Sequence, residues 1–504
     1  MRYPVRRTLV FGFLRLARPV RWLALRIPHG EKLLRPGLEP VLRRTGSWRA
    51  WLAFEQARKH VPAYRAFLAE HGGGEVVLHG LRPDFSAIPI TDKESYVKRW
   101  SIEERCRGGV IPPRGVVVDE SSGTSGEPNN WVRGREERSD GRRLLQFGLH
   151  RTFGHGGLFV VNAFALGPWA TGMNVSMSSV DVAILKSTGP DVAKIEKTLQ
   201  LFGPRYRYLV CGYPPFLKTL VDSADVDWGT LECYAAVGGE GMSEALRSYL
   251  ERAFRRVYSS FGASDLEINI AAENELTIAL RRLLGERPDL ARALDLPEHP
   301  TLPMVFQYNP LDYLVETTPG GELVITVNRV GTTAPKLRYN LHDLGCSVPF
   351  RRLREALAAT GLAPSDLAPE WLDLPLLFHY GRSDSTLAFY GANVAPADVE
   401  EALLSVPELA PCAGSFALLA GEDDEANKTL TIAVELRPGS APPADAAAVR
   451  RSLVARLAEV NQDYREAARF IPSGFEPRLE FHAAGTGPFD GYDVRLKRTY
   501  VRSA

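Results

Sequence analysis

The chain has 504 residues, with 61 Lys and Arg against 60 Asp and Glu, giving a formal charge of +1. So small a net charge supplies no global field for a polyanion, and a composition of 45% hydrophobic, 24% charged and 9% aromatic residues is that of a globular protein, not a disordered, fibrous or membrane-embedded one. The length accommodates roughly three domains of ~150 residues, and five scattered cysteines with no C-x-x-C pair argue against a disulfide framework or structural zinc site and fit a reducing, cytoplasmic setting.

The first thirty residues hold Arg2, Arg6, Arg7, Arg15, Arg18, Arg21 and Arg26, interleaved with apolar residues such as Val10, Phe11, Phe13 and Leu14, and no acid precedes Glu31. No apolar run there reaches the ~20 residues that span a bilayer. Two readings stay open: a surface helix packing on the main body, or an amphipathic helix lying on a membrane. Residues 31 to about 110 read as helical, with Trp48, Trp51, Leu52, Phe54, Ala57 and Val61 near helical spacing until Pro62.

From Val116 the pattern changes to a β-branched run and then a small-residue loop, Ser121-Ser122-Gly123-Thr124-Ser125-Gly126, ahead of a helix-like segment from Arg138 to Thr152. Short apolar strands follow at 158–161, 182–185, 208–210 and 234–237, separated by helical stretches such as 192–202 and 214–221. Such alternation predicts a mainly parallel sheet with crossover helices. A β region begins at Glu322, and from Asp384 strands and helices start afresh as a small α+β unit, with Asp445 a candidate N-cap for a helix over 446–460.

The loop 121–126 combines hydroxyls that bond phosphate oxygens, glycines that allow close backbone approach, and successive N–H groups able to form an anion nest. A flexible linker has the same composition, but the position after a strand and before a helix favours phosphate binding. Ser-Ser-Gly-Thr-Ser-Gly-x-Pro resembles the phosphate loop of the adenylate-forming superfamily: acyl-CoA synthetases, peptide-synthetase adenylation domains and luciferases. Four further segments resemble its motifs, in the same order. Gly238-Gly239-Glu240 is similar to the phenylacetate–CoA ligase branch. Phe261-Gly262-Ala263-Ser264-Asp265 resembles aromatic-Gly-x-Ser/Thr-Glu, Arg338-Tyr339 through Asp343 resembles Arg-Tyr-x-x-x-Asp, and Gly381-Arg382-Ser383-Asp384, with Gly391 to Pro396, resembles the hinge and its following loop.

This resemblance implies an α/β fold: a helical N-terminal part (1–110), an adenylation core (111–383) and a mobile α+β lid (384–504) hinged at Asp384. It implies an ATP- and Mg²⁺-dependent ligase that converts an acid to its adenylate and passes the acyl group to CoA or an amine. Ser121, Ser122, Gly123, Thr124, Ser125 and Gly126 would hold the phosphates, Asp343 the ribose, and Phe261 the adenine, with Gly262 and Ala263 in the same turn. Ser264 and Asp265 would serve the α-phosphate and the metal, Gly238, Gly239 and Glu240 would line the nucleotide and acyl pockets, and Arg382 would face ribose or phosphate. Lys497 takes the place of the superfamily's C-terminal catalytic lysine, with Arg495 and Arg498 as competitors.

Glu127 stands where many members have lysine, with Arg133 or Arg135 as compensating cations, and Asp265 replaces the usual glutamate. The segment Val460 to Glu466 is closer to acyl-acid amido synthetases than to typical CoA ligases. Relatives that activate nitrite to diazotise an aromatic amine, or a non-catalytic or membrane-surface nucleotide-binding homologue, are the alternatives. The acid pocket is assigned to Asn162, Phe164, Trp169, Gly172, Met173 and Tyr213, aromatic and small residues with no basic side chain between Asn162 and Met173, which points to a neutral, aryl-type acid.

Overall fold

A computed structural model describes residues 7–14, 37–121, 129–167, 169–299, 302–383, 386–490 and 501–503. Two short hairpins precede the main sheet: β1 (Val77–His79) with β2 (Arg82–Asp84), and β3 (Val117–Ser121) with β4 (Asn129–Arg133). Residues 31–110 are therefore not wholly helical. Helices Glu39–His60 and Pro62–Glu70 give way to the first hairpin and to turns, because Gly72, Gly73 and Gly74 end the helical pattern.

The main sheet is built from β5 (Leu158–Asn162), β6 (Ile184–Ser187), β7 (Arg207–Gly212), β8 (Glu232–Gly238), β9 (Val257–Phe261), β10 (Ala271–Ala272), β11 (Met304–Tyr308), β12 (Tyr313–Thr317), β13 (Glu322–Val327), β14 (Tyr339–Val348) and β15 (Leu376–Arg382). Its strand order is β12-β13-β14-β15-β11-β10-β9-β8-β7-β5-β6. Only β5 to β9 pair in parallel; every pairing from β9 through β10 to β12 is antiparallel. The expected mainly parallel sheet is thus half of a mixed one.

In the parallel half the inner strands β5 and β7 are buried on both faces, as helix-covered strands must be, all five residues of β5 among them, while the edge strand β6 is largely exposed. The crossover helix Val192–Phe202 begins where the Asp191 carboxylate accepts from the Lys194 N–H, buries Ile195 and Leu199 one turn apart, and stops at Gly203.

Beyond residue 386, β16 (Leu387–Phe389) pairs with β17 (Ala392–Val394), and a second sheet has the order β20-β19-β18-β21, from β18 (Ala413–Glu422), β19 (Lys428–Leu436), β20 (Arg478–His482) and β21 (Val501–Ser503). It has its own core, in which Leu418, Ile432 and Val434 meet Val399, Leu403, Leu453 and Leu457 of two helices. The second of these, Ala446–Val460, is capped by Asp445, whose carboxylate accepts from the Ala448 N–H at 2.9 Å. The molecule is therefore a large α/β domain followed by a small α+β one.

Among the described residues no helix is long and apolar enough to cross a membrane. The helix over 7–14 lies on the large domain: Val10 is buried, Phe11 packs at a tilt against Trp51 with ring centres 5.0 Å apart, and Arg7 reaches Glu55.

Candidate nucleotide and acid site

Open sheets with parallel strands bind ligands at the strands' carboxyl ends. There, β8 runs into Gly238-Gly239-Glu240 and β9 into the turn Gly262 to Asp265. The turn closes through hydrogen bonds from the Ala263 N–H to Glu267 O and from the Ile270 N–H to Phe261 O. Arg133 at the end of β4 donates to the carbonyls of Ser264 and Leu266 and pairs with Asp119 of β3 at 3.2 Å. The hairpin that carries the phosphate-loop motif is thereby bound to the Ser264–Asp265 turn. Ser121 closes β3 opposite Asn129, while Ser122, Gly123, Thr124, Ser125 and Gly126 lie outside the described residues, as do Asp384 and Lys497.

Arg133 is thus spent on structure: with its side chain 7% exposed it is no free cation to replace the missing loop lysine. Arg135 is exposed at the start of the helix Arg135–Phe153. A cation that sequence reasoning overlooked is Lys336, buried with its Nζ 4.1 Å from the centre of the Trp131 ring, while Arg105 approaches the same ring at 5.5 Å. Burial, then the neighbouring Arg133 and Arg105, push Lys336 down to about 7.

The Arg-Tyr motif performs several tasks. Arg338 is not the exposed edge that such a pair ordinarily makes: it donates to the carbonyls of Phe85 and Ile88 and pairs with Glu316. The Tyr339 hydroxyl donates to Asp265 Oδ2 at 3.0 Å, tying β14 to the turn after β9. His342 has φ +63°, a left-handed conformation that costs a non-glycine residue energy, and its N–H is held by Asn340 Oδ1. Next to that strained point Asp343 is 6% exposed, with His379 Nε2 3.7 Å from its Oδ1. Arg382 is its register partner across β14 and β15.

His379, which no motif flagged, also meets Phe261, ring centres 5.0 Å apart, and Phe306 covers Phe261 further. Phe261 is 7% exposed and belongs to the core. Stacking on adenine requires a free ring face, so core packing describes Phe261 better than the expected base contact.

Gly239 has φ +85°, and a Cβ there would fall 2.5 Å from Tyr213 Cε1. A Cβ at Gly391 would lie 3.1 Å from the same ring. Tyr213 is therefore the wedge on which the large domain's turn and the small domain's loop close. Beside it Glu240, its side chain wholly buried, accepts from Lys428 of β19 at 2.8 Å, and its Oε1 has no hydrogen-bond partner among the described residues. Ser243 bonds Glu422 across the same boundary.

Most of the expected acid-pocket residues lie elsewhere. Asn162 is fully buried, and its side-chain amide donates to Gly172 O at 2.7 Å and to Ser176 Oγ at 2.8 Å, so Asn162 and Gly172 join β5 to the helix Ala170–Ser179. Trp169 bridges Glu120 beside the phosphate-loop hairpin, and Met173 is half-buried on that helix. Phe164 alone of the six lines the large cavity, of about 2000 Å³, between the helix Arg135–Phe153 and the sheet. The segment 460–466 is likewise structural: Asn461 caps the helix Gln462–Ala467 and bonds Asn393 O and Asp398, and Tyr464 is fully buried.

No family model matches the chain. A phenylacetate–coenzyme A ligase of Thermus thermophilus is 24% identical over 369 residues, covering 70% of this chain and 73% of the relative. Among solved structures, 2-hydroxyisobutyryl-CoA ligase in complex with 2-HIB-AMP and CoA, in the thioesterification state, aligns with a TM-score of 0.62 over 95% of this chain and 90% of its own, at 15% identity. The same ligase in the postadenylation state, in complex with R3-HIB-AMP, aligns with a TM-score of 0.51 over 90% and 88%, at 15% identity.

Proposed function

We propose that this chain, which has the fold of the adenylate-forming ligases, is an ATP-dependent, AMP-forming ligase that activates a carboxylic acid as its adenylate and transfers the acyl group to CoA or an amine. The observation that carries this reading is convergence. The Gly238–Glu240 turn, the Ser264–Asp265 turn, Asp343 with Arg382, and the β3–β4 hairpin come together at the carboxyl end of the parallel strands. A carboxylate oxygen attacks the α-phosphorus, pyrophosphate leaves, and the acceptor then takes the acyl group and releases AMP. Little covalent chemistry is asked of the protein, so placement and charge neutralisation carry the rate.

Asp343 accepts from the ribose hydroxyls, and Arg382 beside it donates to ribose or phosphate. The hairpin loop 121–126 holds the outer phosphates, and Lys497 bridges the carboxylate and α-phosphate when the lid, pivoting at Asp384, delivers it. Among the described residues no cluster of three or more His, Cys, Asp or Glu side chains can hold a metal alone. Magnesium is ordinarily bound by one or two carboxylates plus substrate phosphates and water, and Asp265, whose Oδ2 alone is engaged by Tyr339, fits that arrangement with Ser264 beside it. The ion would neutralise phosphate charge during displacement of pyrophosphate. Reduced cysteines, four of the five buried, suit a cytoplasmic enzyme.

The test is acid-dependent exchange of labelled pyrophosphate into ATP across a panel of carboxylic acids and nitrite. Exchange with a carboxylic acid is the expected result; exchange with nitrite alone moves the reading to nitrogen activation, and silence with every acid overturns it.

A further inference from the structure

The N-terminal helix over 7–14 is apolar on two faces. The inner face is spent on the large domain through Val10 and Phe11. On the outer face Leu9 and Phe13, one helical turn apart, are 53% and 50% exposed. That face continues onto the helix Glu39–His60: the Phe13 ring meets Trp48 edge-on, with ring centres 5.7 Å apart, and the exposed Arg44 holds its guanidinium 5.1 Å from the centre of the Trp48 ring. Val41, 58% exposed, lies on the same side of its helix, three residues before Arg44 and seven before Trp48. Single exposed apolar residues need no explanation, but a contiguous set beside a cation marks an interaction surface.

Charge decides what covers it. The first 49 residues hold twelve of the 61 Lys and Arg but two of the 60 Asp and Glu, a charge of +10, which leaves −9 on the remaining 455. Glu39 and Glu55, the only acids on the two helices, are both buried, so neither presents negative charge on the outer face. A chain so divided is drawn basic end first to an anionic surface and repelled along the rest of its body. A bilayer with anionic headgroups supplies negative charge and, just beneath it, an apolar layer into which Leu9, Phe13 and Val41 can be withdrawn from water. Trp and Arg, each an apolar body with a polar tip, suit the boundary between the two.

We infer that the outer face of the helix over 7–14, together with Val41, Arg44 and Trp48, docks this protein on the surface of an anionic lipid bilayer. The two readings of the N-terminus are then both met, one by each face of the same helix. The inference stands independently of the ligase reading.

The test is co-sedimentation of the full chain with mixed phosphatidylglycerol–phosphatidylcholine vesicles, beside phosphatidylcholine vesicles, at ~0.1 M and ~1 M salt, where charge is screened over about 10 and 3 Å. Binding to the mixed vesicles at the lower salt should exceed binding under either other condition by roughly ten-fold or more. Leu9→Gln with Phe13→Gln should lower it by roughly ten-fold, and Arg44→Glu by about five-fold or more. An unchanged thermal midpoint without vesicles shows that a variant keeps its fold, and should the double variant lose it, Arg44→Glu, at an exposed position, decides. Absence of binding, equal binding to phosphatidylcholine alone, or folded variants that bind as the parent does overturn the inference. A dimer seen by light scattering that the double variant abolishes gives the face to a second copy, and overturns it too.

Discussion

Asp343 is a carboxylate 6% exposed beside a strained backbone and within 3.7 Å of His379, an arrangement poised to accept hydrogen bonds from a polar ligand. Asp343→Ala should weaken ATP binding by roughly 10- to 100-fold, the loss of one or two charge-assisted hydrogen bonds, measured by calorimetry; unchanged affinity removes its ribose role. Lys336 makes a different prediction. In the folded protein its ammonium is pushed down from the ordinary 10.5 to about 7, so between these values unfolding takes up a proton and stability rises with pH. Lys336→Met should flatten the increase in thermal midpoint from pH 7 toward pH 10. Residue positions were legible in the sequence where a motif named them, as for Asp265 and Tyr339, which the fold joins by a hydrogen bond. They were misread where a polar or aromatic residue type suited both a pocket and a joint: Asn162 holds β5 to its helix, and Phe261 packs on Phe306.

At the scale of elements, the turns after β8 and β9 are held from behind by a buried ion network. Arg247 and Glu273 are both wholly buried and 2.6 Å apart; Arg247 also donates to Val257 O, and Glu273 accepts from the Ser259 N–H, fixing β9. Glu273→Ala would strand the guanidinium in the core and should cost about 3–5 kcal/mol in urea unfolding, whereas replacing the pair with apolar residues should cost far less. Helices with clear caps were readable to the residue, as at 192–202 and 446–460. The antiparallel half of the main sheet was not, because β10 has two residues and β14 breaks register between Leu344 and Gly345, leaving no clean alternation in the sequence.

Across the whole molecule, the two domains meet at Tyr213, lodged against Gly239 and Gly391, and at the Lys428–Glu240 pair. If the small domain turns between the two half-reactions, this pair belongs to one orientation only. Lys428→Ala, which leaves the Glu240 carboxylate buried and unpaired, should therefore change adenylate formation and acyl transfer from preformed adenylate by unequal factors, differing about five-fold or more. Equal effects in separate assays of the two steps would make the pair merely structural. The near-zero net charge that excluded a polyanion has a counterpart here: the arginines the sequence offered as phosphate partners are partly absorbed into the framework, as Arg133 is. On the proposed ligase reading, a triphosphate would then be met by backbone N–H groups, hydroxyls, Mg²⁺ and a few placed cations.

On the proposed reading a carboxylate oxygen attacks the α-phosphorus of ATP. The most direct measurement uses an acid labelled with heavy oxygen in its carboxylate, incubated with ATP and CoA or an amine, with mass spectrometry of the nucleotide and phosphate products. One labelled oxygen carried into AMP, with unlabelled pyrophosphate, is the predicted result; label in inorganic phosphate with formation of ADP, or AMP without label, would contradict it.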